Sequence, residues 1–311
     1  MGNNKLEWPK GKKFAFTIVD DTDNATIENI KPIYDLLHDL KLFTTKTVWV
    51  YPSRDRFSGE CLQDANYLQF IKDLKNKGFE IGLHGVGSGD FTREEILKGL
   101  QLYEDFLGEK PSMHINHAQN SHNLYHGNRG GSKLLQWYAK RKAPNDSYYG
   151  EIKESKYYWG DWAKKNIKYT RGRTFEQINT LRQDPLMPYY DKDKLDSTNI
   201  WFSSSDGANV NLFNKLITEE NVDQLVAKGG LCIVYTHFAS DFYKNGKINE
   251  EFEQKIRYLA SKDGWFVPAS ELLDYVIDQK GVNSPSQWYF TYLDLREILR
   301  NKLNRFFKVS R

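Results

Sequence analysis

Three apolar segments of this 311-residue chain end on side chains that bind metals or move protons. Residues 14–19 run into Asp20, Asp21 and Asp23, residues 79–83 into His84, and residues 231–236 into His237. Carboxylates packed this closely repel one another, so holding them together takes a cation, a shared proton or water. A solvated acidic turn is the plain alternative for the first segment. A single histidine at a strand end ordinarily satisfies a local hydrogen bond. Three ligand-bearing ends point instead to a common site, because strand ends of a parallel barrel converge on one face.

A histidine-rich stretch follows the fourth apolar segment. His114, His117, His122 and His126 are four of the chain's seven histidines, and such a tract can bind metal. His117 lies nearest the expected strand end and is the preferred ligand over His114. The rest are expected to bond locally, with His114 and His122 as candidates for substrate contact. Trp159 and Trp162, beside Tyr157 and Tyr158, could stack on a sugar ring or simply pack. Asp206, after Ser203, Ser204 and Ser205, is a further candidate for substrate contact, or part of a turn. Residues 127–133 (GNRGGSK) fail the phosphate-loop pattern in glycine spacing and in the order of Ser and Lys. No Gly-x-Ser-x-Gly occurs, and Cys232 sits inside an apolar run, so no serine or cysteine nucleophile motif is on offer, and the nucleophile that metal-type ligands could supply is an activated water. A divalent ion of the Zn²⁺ type, with one carboxylate and two imidazoles, leaves a position open for that water.

The segments that position these residues alternate in type. Strands are expected at 14–19, 44–51, 79–83, 113–117, 199–202, 231–236 and 265–267. Helices are expected at 27–40, 62–77, 92–107, 215–228, 249–261 and 269–279. The helix near 92 opens on a Thr92/Glu95 capping box. The alternation suits βαβ units and a parallel sheet or barrel. Between about 127 and 198 the periodicity weakens, which reads as a long aromatic-rich insertion. Residues 1–280 are thus expected to form a single domain.

Composition narrows the class. The 44 basic and 41 acidic residues nearly balance, so no global charge argues for nucleic acid. Two cysteines are too few for a disulfide framework. No leader-like apolar segment opens the sequence and no apolar run reaches about 18 residues, so a cytoplasmic protein is expected. The last stretch, 281–311, is read as a basic amphipathic helix: Tyr292, Leu295, Leu299, Leu303 and Phe306 recur at helical spacing among Arg and Lys. Packing on the domain is the ordinary use of such a face; weak association with a membrane surface is the other.

The order of motifs resembles the NodB-homology polysaccharide deacetylases, carbohydrate esterase family 4. It follows strand, Asp20-Asp21, helix, residues 42–50 (LFTTKTVWV), residues 78–84 (GFEIGLH) and residues 233–237 (IVYTH). The resemblance covers about residues 13–273, and within the superfamily it is similar to the divergent WbmS-like members of surface-polysaccharide synthesis. It implies a distorted (β/α) barrel and metal-dependent removal of an N-acyl group from an amino sugar, whether free, nucleotide-linked or lipid-linked. By matching position it implies Asp20 as general base, Asp21 and His84 as metal ligands, and His237 as general acid. Two departures bear on the site. Ser88 stands where the family has a second metal histidine, so a histidine of 113–122 would have to complete the set. Asp21 and Asp23 could also be the working pair in place of Asp20 and Asp21. A deformylase of a formamido sugar, or an inactive carbohydrate-binding or scaffold member, are the competing expectations.

Overall fold

A computed structural model describes residues 6–124, 132–133, 136–137, 141 and 148–309, with side chains to residue 300. His126 and most of the 127–133 glycine stretch lie outside the described residues. Seven parallel strands form a closed ring: β1 (Phe14–Asp20), β2 (Thr45–Val48), β3 (Glu80–Leu83), β4 (Met113–His114), β5 (Tyr169–Phe175), β6 (Ile200–Asp206) and β7 (Leu231–Thr236). They pair in that order, and β7 closes the ring by pairing with β1 from Ala15–Leu231 to Asp20–Thr236. A short hairpin, β8 (Tyr243–Lys244) and β9 (Lys247–Ile248), lies outside the ring. The last strand, β10 (Gly264–Phe266), joins the first half of β1 at Phe14–Phe16, below the point where β2 engages Val19 and Asp20. This is the expected (β/α) barrel, distorted by an eighth parallel strand.

Helices α1 (Ile27–Asp39), α2 (Ala65–Asn76) and α3 (Arg93–Leu107) follow the first three strands. Each buries an apolar stripe at helical spacing, such as Ile30, Ile33, Tyr34 and Leu37 in α1. The capping box of Thr92 and Glu95 is present at α3, and Gly108, in the left-handed region, ends that helix. A second box, Thr26 with Asn29, opens α1. Further helices are α4 (Gly160–Asn166), α5 (Thr180–Gln183), α6 (Val210–Leu216), α7 (Glu219–Ala227), α8 (Glu250–Ala260), α9 (Ala269–Lys280) and α10 (Gln287–Val309).

Three expectations are corrected here. The helix read at 215–228 is two, because Thr218 accepts a bond from Asn221 N and starts a fresh helix after Ile217. The stretch read as an insertion, 127–198, contains β5, a full member of the ring. Its strand character was hidden because Arg171, Gly172 and Arg173 interrupt the apolar pattern of Tyr169–Phe175. Ser203, Ser204 and Ser205, read as following a strand and either entering the crevice or forming a turn, are buried in β6.

Strand alternation divides the core in two, since successive side chains of a strand face opposite ways. Phe14, Phe16 and Ile18 of β1 pack outward with the helices. Ala15 and Val19 face the barrel interior with Met113, Ile115, Tyr169 and Ile233. Ala269, Leu272, Leu273 and Val276 of α9 join that interior cluster. Ala269 N donates to Thr45 Oγ1 and Ser270 N to Glu80, at the first residues of β2 and β3. So α9 plugs the N-terminal end of the barrel, and the C-terminal end is left for chemistry.

Asp20 ends the outward row. It is fully buried and pairs with Lys46 Nζ at 2.9 Å, a lysine that is itself fully buried. Tyr34 Oη donates to Asp20 Oδ2 at 3.0 Å and Phe238 N to Oδ1 at 2.9 Å. Burial alone pushes the Lys46 ammonium toward neutrality, and Asp20 more than reverses this, so its pKa is raised. Removing one member of such a pair leaves a charge without compensation in the interior. We expect Lys46→Met to lower stability by about 3–5 kcal/mol. The double variant Lys46→Met/Asp20→Asn should recover much of the loss. Urea denaturation of the three proteins checks this; equal midpoints for the single variant and the parent would refute it.

Candidate active site

The inward rows of four strands meet at the C-terminal mouth. Continuing the alternation past each strand end places Asp21 after Val19, His84 after Gly82, His117 after Ile115, and His237 after Tyr235. Asp23 lies two residues beyond Asp21, and Arg171 two residues beyond Tyr169 on β5. Asp21, Asp23, His84, Arg171, Tyr235 and His237 line a cleft of about 340 Å³, with Phe57, Asn116 and Ala118 on its walls.

Asp23 is the centre of the constellation. Its Oδ1 lies 2.9 Å from His117 Nε2, and its Oδ2 lies 3.0 Å from His84 Nε2 and 3.4 Å from His237 Nε2. One ligand atom from each of Asp23, His84 and His117 falls within 4.8 Å of the others, and all three residues are buried. His117 Nδ1 is 2.7 Å from the Ala118 carbonyl oxygen. A carbonyl only accepts, so Nδ1 carries the proton and a neutral imidazole turns a lone pair at Nε2 toward the carboxylate. Two lone pairs at 2.9 Å repel unless a cation lies between them or near both. A proton on the ring does this, and so does a metal ion. A carbonyl fixing the far nitrogen is also the usual partner of a metal-bound histidine. The donor set of one carboxylate and two imidazoles therefore fits a Zn²⁺-like ion.

Charges around the centre are shifted accordingly. Burial opposes ionisation of Asp23, but His84, His117 and His237 overcome it and hold its carboxyl far below the usual range. Burial lowers the pKa of His84, against the pull of Asp21 and Asp23. Burial also works against a charged His117, yet the bond to Asp23 raises its pKa on balance.

The two flanking groups are held from behind. Arg171 grips Asp21 in a two-pronged bond, Nη1 to Oδ1 at 2.9 Å and Nη2 to Oδ2 at 2.5 Å. Its guanidinium rests 4.5 Å over the Tyr235 ring. Burial raises the pKa of Asp21, but Arg171 outweighs it, and the carboxyl stays below its ordinary value. His237 Nδ1 is fixed on the Ala208 carbonyl oxygen at 2.7 Å, leaving Nε2 directed at Asp23 and 4.0 Å from Asp21 Oδ2. Burial disfavours the charged ring, but Asp23 and Asp21 prevail and raise it to about 9.

The structure sorts the sequence expectations as follows. His84, His117 and His237 come together. The two carboxylates that reach the cleft are Asp21 and Asp23, the second of the two registers left open. Asp20, expected as the base, points away to Lys46. Asp21, expected as a ligand, instead faces Arg171, and it is Asp23 that groups with His84 and His117. Ser88 is no ligand; its hydroxyl donates to Asp55 at 2.6 Å.

The residues expected to touch substrate lie elsewhere. His114 is buried edge-on to Trp159, and its Nε2 donates to Asn116 at 3.0 Å. His122 is buried against Phe91. Burial drives their pKa values down to about 3 and about 4, so both rings are neutral. Trp159 is a core residue whose Nε1 bonds the His122 carbonyl, and Trp162 packs half-buried beside it. Asp206 accepts from Ala208 N and lines a separate outer groove with Arg182 and Lys215. Sequence reasoning missed Arg171 and Lys46. Both are charged residues inside strands, and a charge in such a place demands a buried partner.

Comparison with known proteins bears on the fold. No family model matches the sequence, and no curated protein matches it. Solved structures do match. A protein described as a polysaccharide deacetylase from Mycobacterium smegmatis superposes with a TM-score of 0.53 at 11% identity, covering 91% of this chain and 96% of that one. A second so described, from Pseudomonas aeruginosa PAO1, gives 0.55 at 11% identity, covering 90% and 97%. The allantoinase PuuE gives 0.55 at 12% identity, covering 90% and 96%. The chain has the fold of the polysaccharide deacetylases, and the same scaffold also carries an allantoinase.

Proposed function

We propose that the protein is a metal-dependent hydrolase that removes an N-acyl group from an amino sugar. The observation that carries this reading is the Asp23–His84–His117 donor set at the mouth of the barrel, flanked by Asp21 on one side and His237 on the other. When bound there, a divalent ion would supply a Lewis acid and lower the pKa of water to near neutrality.

The chain's own residues divide the proton work. Asp21 takes a proton from the water that attacks the acyl carbon. Arg171 holds both oxygens of Asp21 in place, so the carboxylate does not swing toward the histidines. His237 carries a proton at Nε2 under ordinary conditions, in keeping with its raised pKa. It gives that proton to the nitrogen as the C–N bond breaks, so that a free amine and a carboxylate leave. Phe57 and Tyr235, which line the cleft, offer aromatic surface to a sugar ring. The cleft is near the small end of ligand sites, which suits one sugar residue with its acyl group.

The test is a release assay on the metal-loaded protein. N-acetylhexosamines are offered free, nucleotide-linked and polyprenyl-diphosphate-linked, and liberated acetate is measured. A formamido sugar and allantoin serve as the competing substrates. Acetate release that a chelator stops and added Zn²⁺ restores is the expected result. Formate release alone would move the assignment to a deformylase, and allantoin hydrolysis alone would move it off sugars. Inertness toward all of them with one ion bound per chain would overturn it.

A further inference from the structure

The C-terminal helix carries two apolar faces, and the barrel uses one of them. On the inner face of α10, Phe290 and Leu293 are buried, and Asp294 accepts from Arg173 and from Ser132 N. Tyr289 Oη donates to Asp184 at 2.6 Å, and Arg296 reaches the Gln183 carbonyl at 2.7 Å. These contacts fix the helix against the 177–189 segment. On the outer face, Trp288 is 83% exposed, Tyr292 56%, Leu295 47% and Leu299 60%. They recur at intervals of four, three and four, which keeps them on one side of a helix. Tyr292, Leu295 and Leu299 belong to the row read from the sequence as the amphipathic face, and they point to solvent.

The direction of the helix adds a second observation. Phe290 packs on Tyr189, which bridges Trp201 near the start of β6. Arg296 lies over Phe175 at the end of β5, and Arg300 bonds Gln177 beyond it. So α10 runs alongside β5 in the strand direction, and its last turns emerge at the rim that holds the catalytic cleft. From Ile298 to Arg311 the sequence holds Arg300, Lys302, Arg305, Lys308 and Arg311 and no acidic residue.

We propose that the outer face of α10 docks the protein on an anionic lipid surface, with the catalytic rim turned toward the headgroups. A stripe of Trp, Tyr and Leu that continues into a run of cations is the pattern of a helix lying in the membrane interface. Charge decides against a second copy of the chain. Two such helices paired in parallel would bring their cationic ends together, and from Ile298 onward the sequence holds no acidic residue to answer them. A bilayer requires no matching surface. Among the described residues no helix is long and apolar enough to span one, so the contact is peripheral.

The experiment is flotation of the full-length protein with vesicles of phosphatidylcholine alone and of phosphatidylcholine mixed with phosphatidylglycerol. Each is run at about 0.01 M and about 1 M salt, where the screening length falls from about 30 Å to about 3 Å. Most of the protein should float with the anionic vesicles at low salt, and at least tenfold less in high salt or with phosphatidylcholine alone. The double variant Trp288→Ser/Leu299→Glu should float at least tenfold less with an unchanged Tm, because both residues are exposed. Three results would overturn the proposal. They are no flotation on anionic vesicles at low salt, flotation of the double variant equal to the parent, or a solution dimer of the parent that Leu299→Glu splits.

Discussion

Asp23→Ala should strip the protein of its divalent ion and, with it, of hydrolysis. Among the described residues, Asp23 is the only carboxylate that touches both His84 and His117, so its loss removes the negative charge that makes the site a cation site. Lewis-acid stabilisation is worth several kcal/mol in the transition state, and each 1.36 kcal/mol is tenfold in rate. Turnover should therefore fall by about a thousandfold or more. His117→Ala should lose the ion in the same way, whereas His114→Ala should keep it, because His114 faces Asn116 and Trp159. Inductively coupled plasma mass spectrometry on the three purified variants reads this directly. Full occupancy in Asp23→Ala or His117→Ala would remove that residue from the ligand set.

Asp21→Asn should separate chemistry from metal. The carboxylate contacts Arg171 at 2.9 and 2.5 Å and contributes no atom to the Asp23–His84–His117 group. The ion should stay, at one per chain. The amide cannot take the proton from water, and loss of a positioned base costs about 10²–10⁴ in kcat. Arg171→Ala should lower kcat less, since it frees the base without removing it. Asp20→Asn offers the contrast: it weakens the Lys46 pair and the fold, and its folded fraction should turn over normally. Near-parental kcat in Asp21→Asn would falsify its role as the base. Loss of the ion in Asp21→Asn, with turnover lost alongside it, would make Asp21 a ligand after all.

Much of the barrel was legible because its strands are short and apolar and its helices carry plain caps. Residues 231–236 read correctly to the residue, since a run such as Leu-Cys-Ile-Val-Tyr-Thr has few other uses. The fifth strand was not legible, because Arg171 and Arg173 are there to bind Asp21 and Asp294, and function broke the pattern that periodicity needs. The histidines were found by type, but type alone cannot rank them. His114 and His117 lie three positions apart, and only the three-dimensional path of the chain past β4 sends one to Trp159 and the other to Asp23. The acidic run failed for a different reason. Its four positions carry three carboxylates of equal chemistry, and the partners that tell them apart, Lys46, Arg171 and the histidines, come from other strands and the loops that follow them.

The two-sidedness of β1 makes that run a matter of parity. Odd positions from Ala15 to Asp21 look into the barrel, and Asp23 ends in the cleft beyond them; even positions from Phe14 to Asp20 look out at the helices. Deleting one residue upstream would exchange the two sets. Asp20 would then take Val19's place in the barrel interior, Thr22 would take Asp21's place in the cleft, and Asp21 would be driven against Lys46. The strand would keep an ion pair, while the centre lost its ligand and its base together. Lineages of this chain can therefore change Phe14, Phe16 or Ile18 in size far more readily than they can change the count of residues between Phe14 and Asp23.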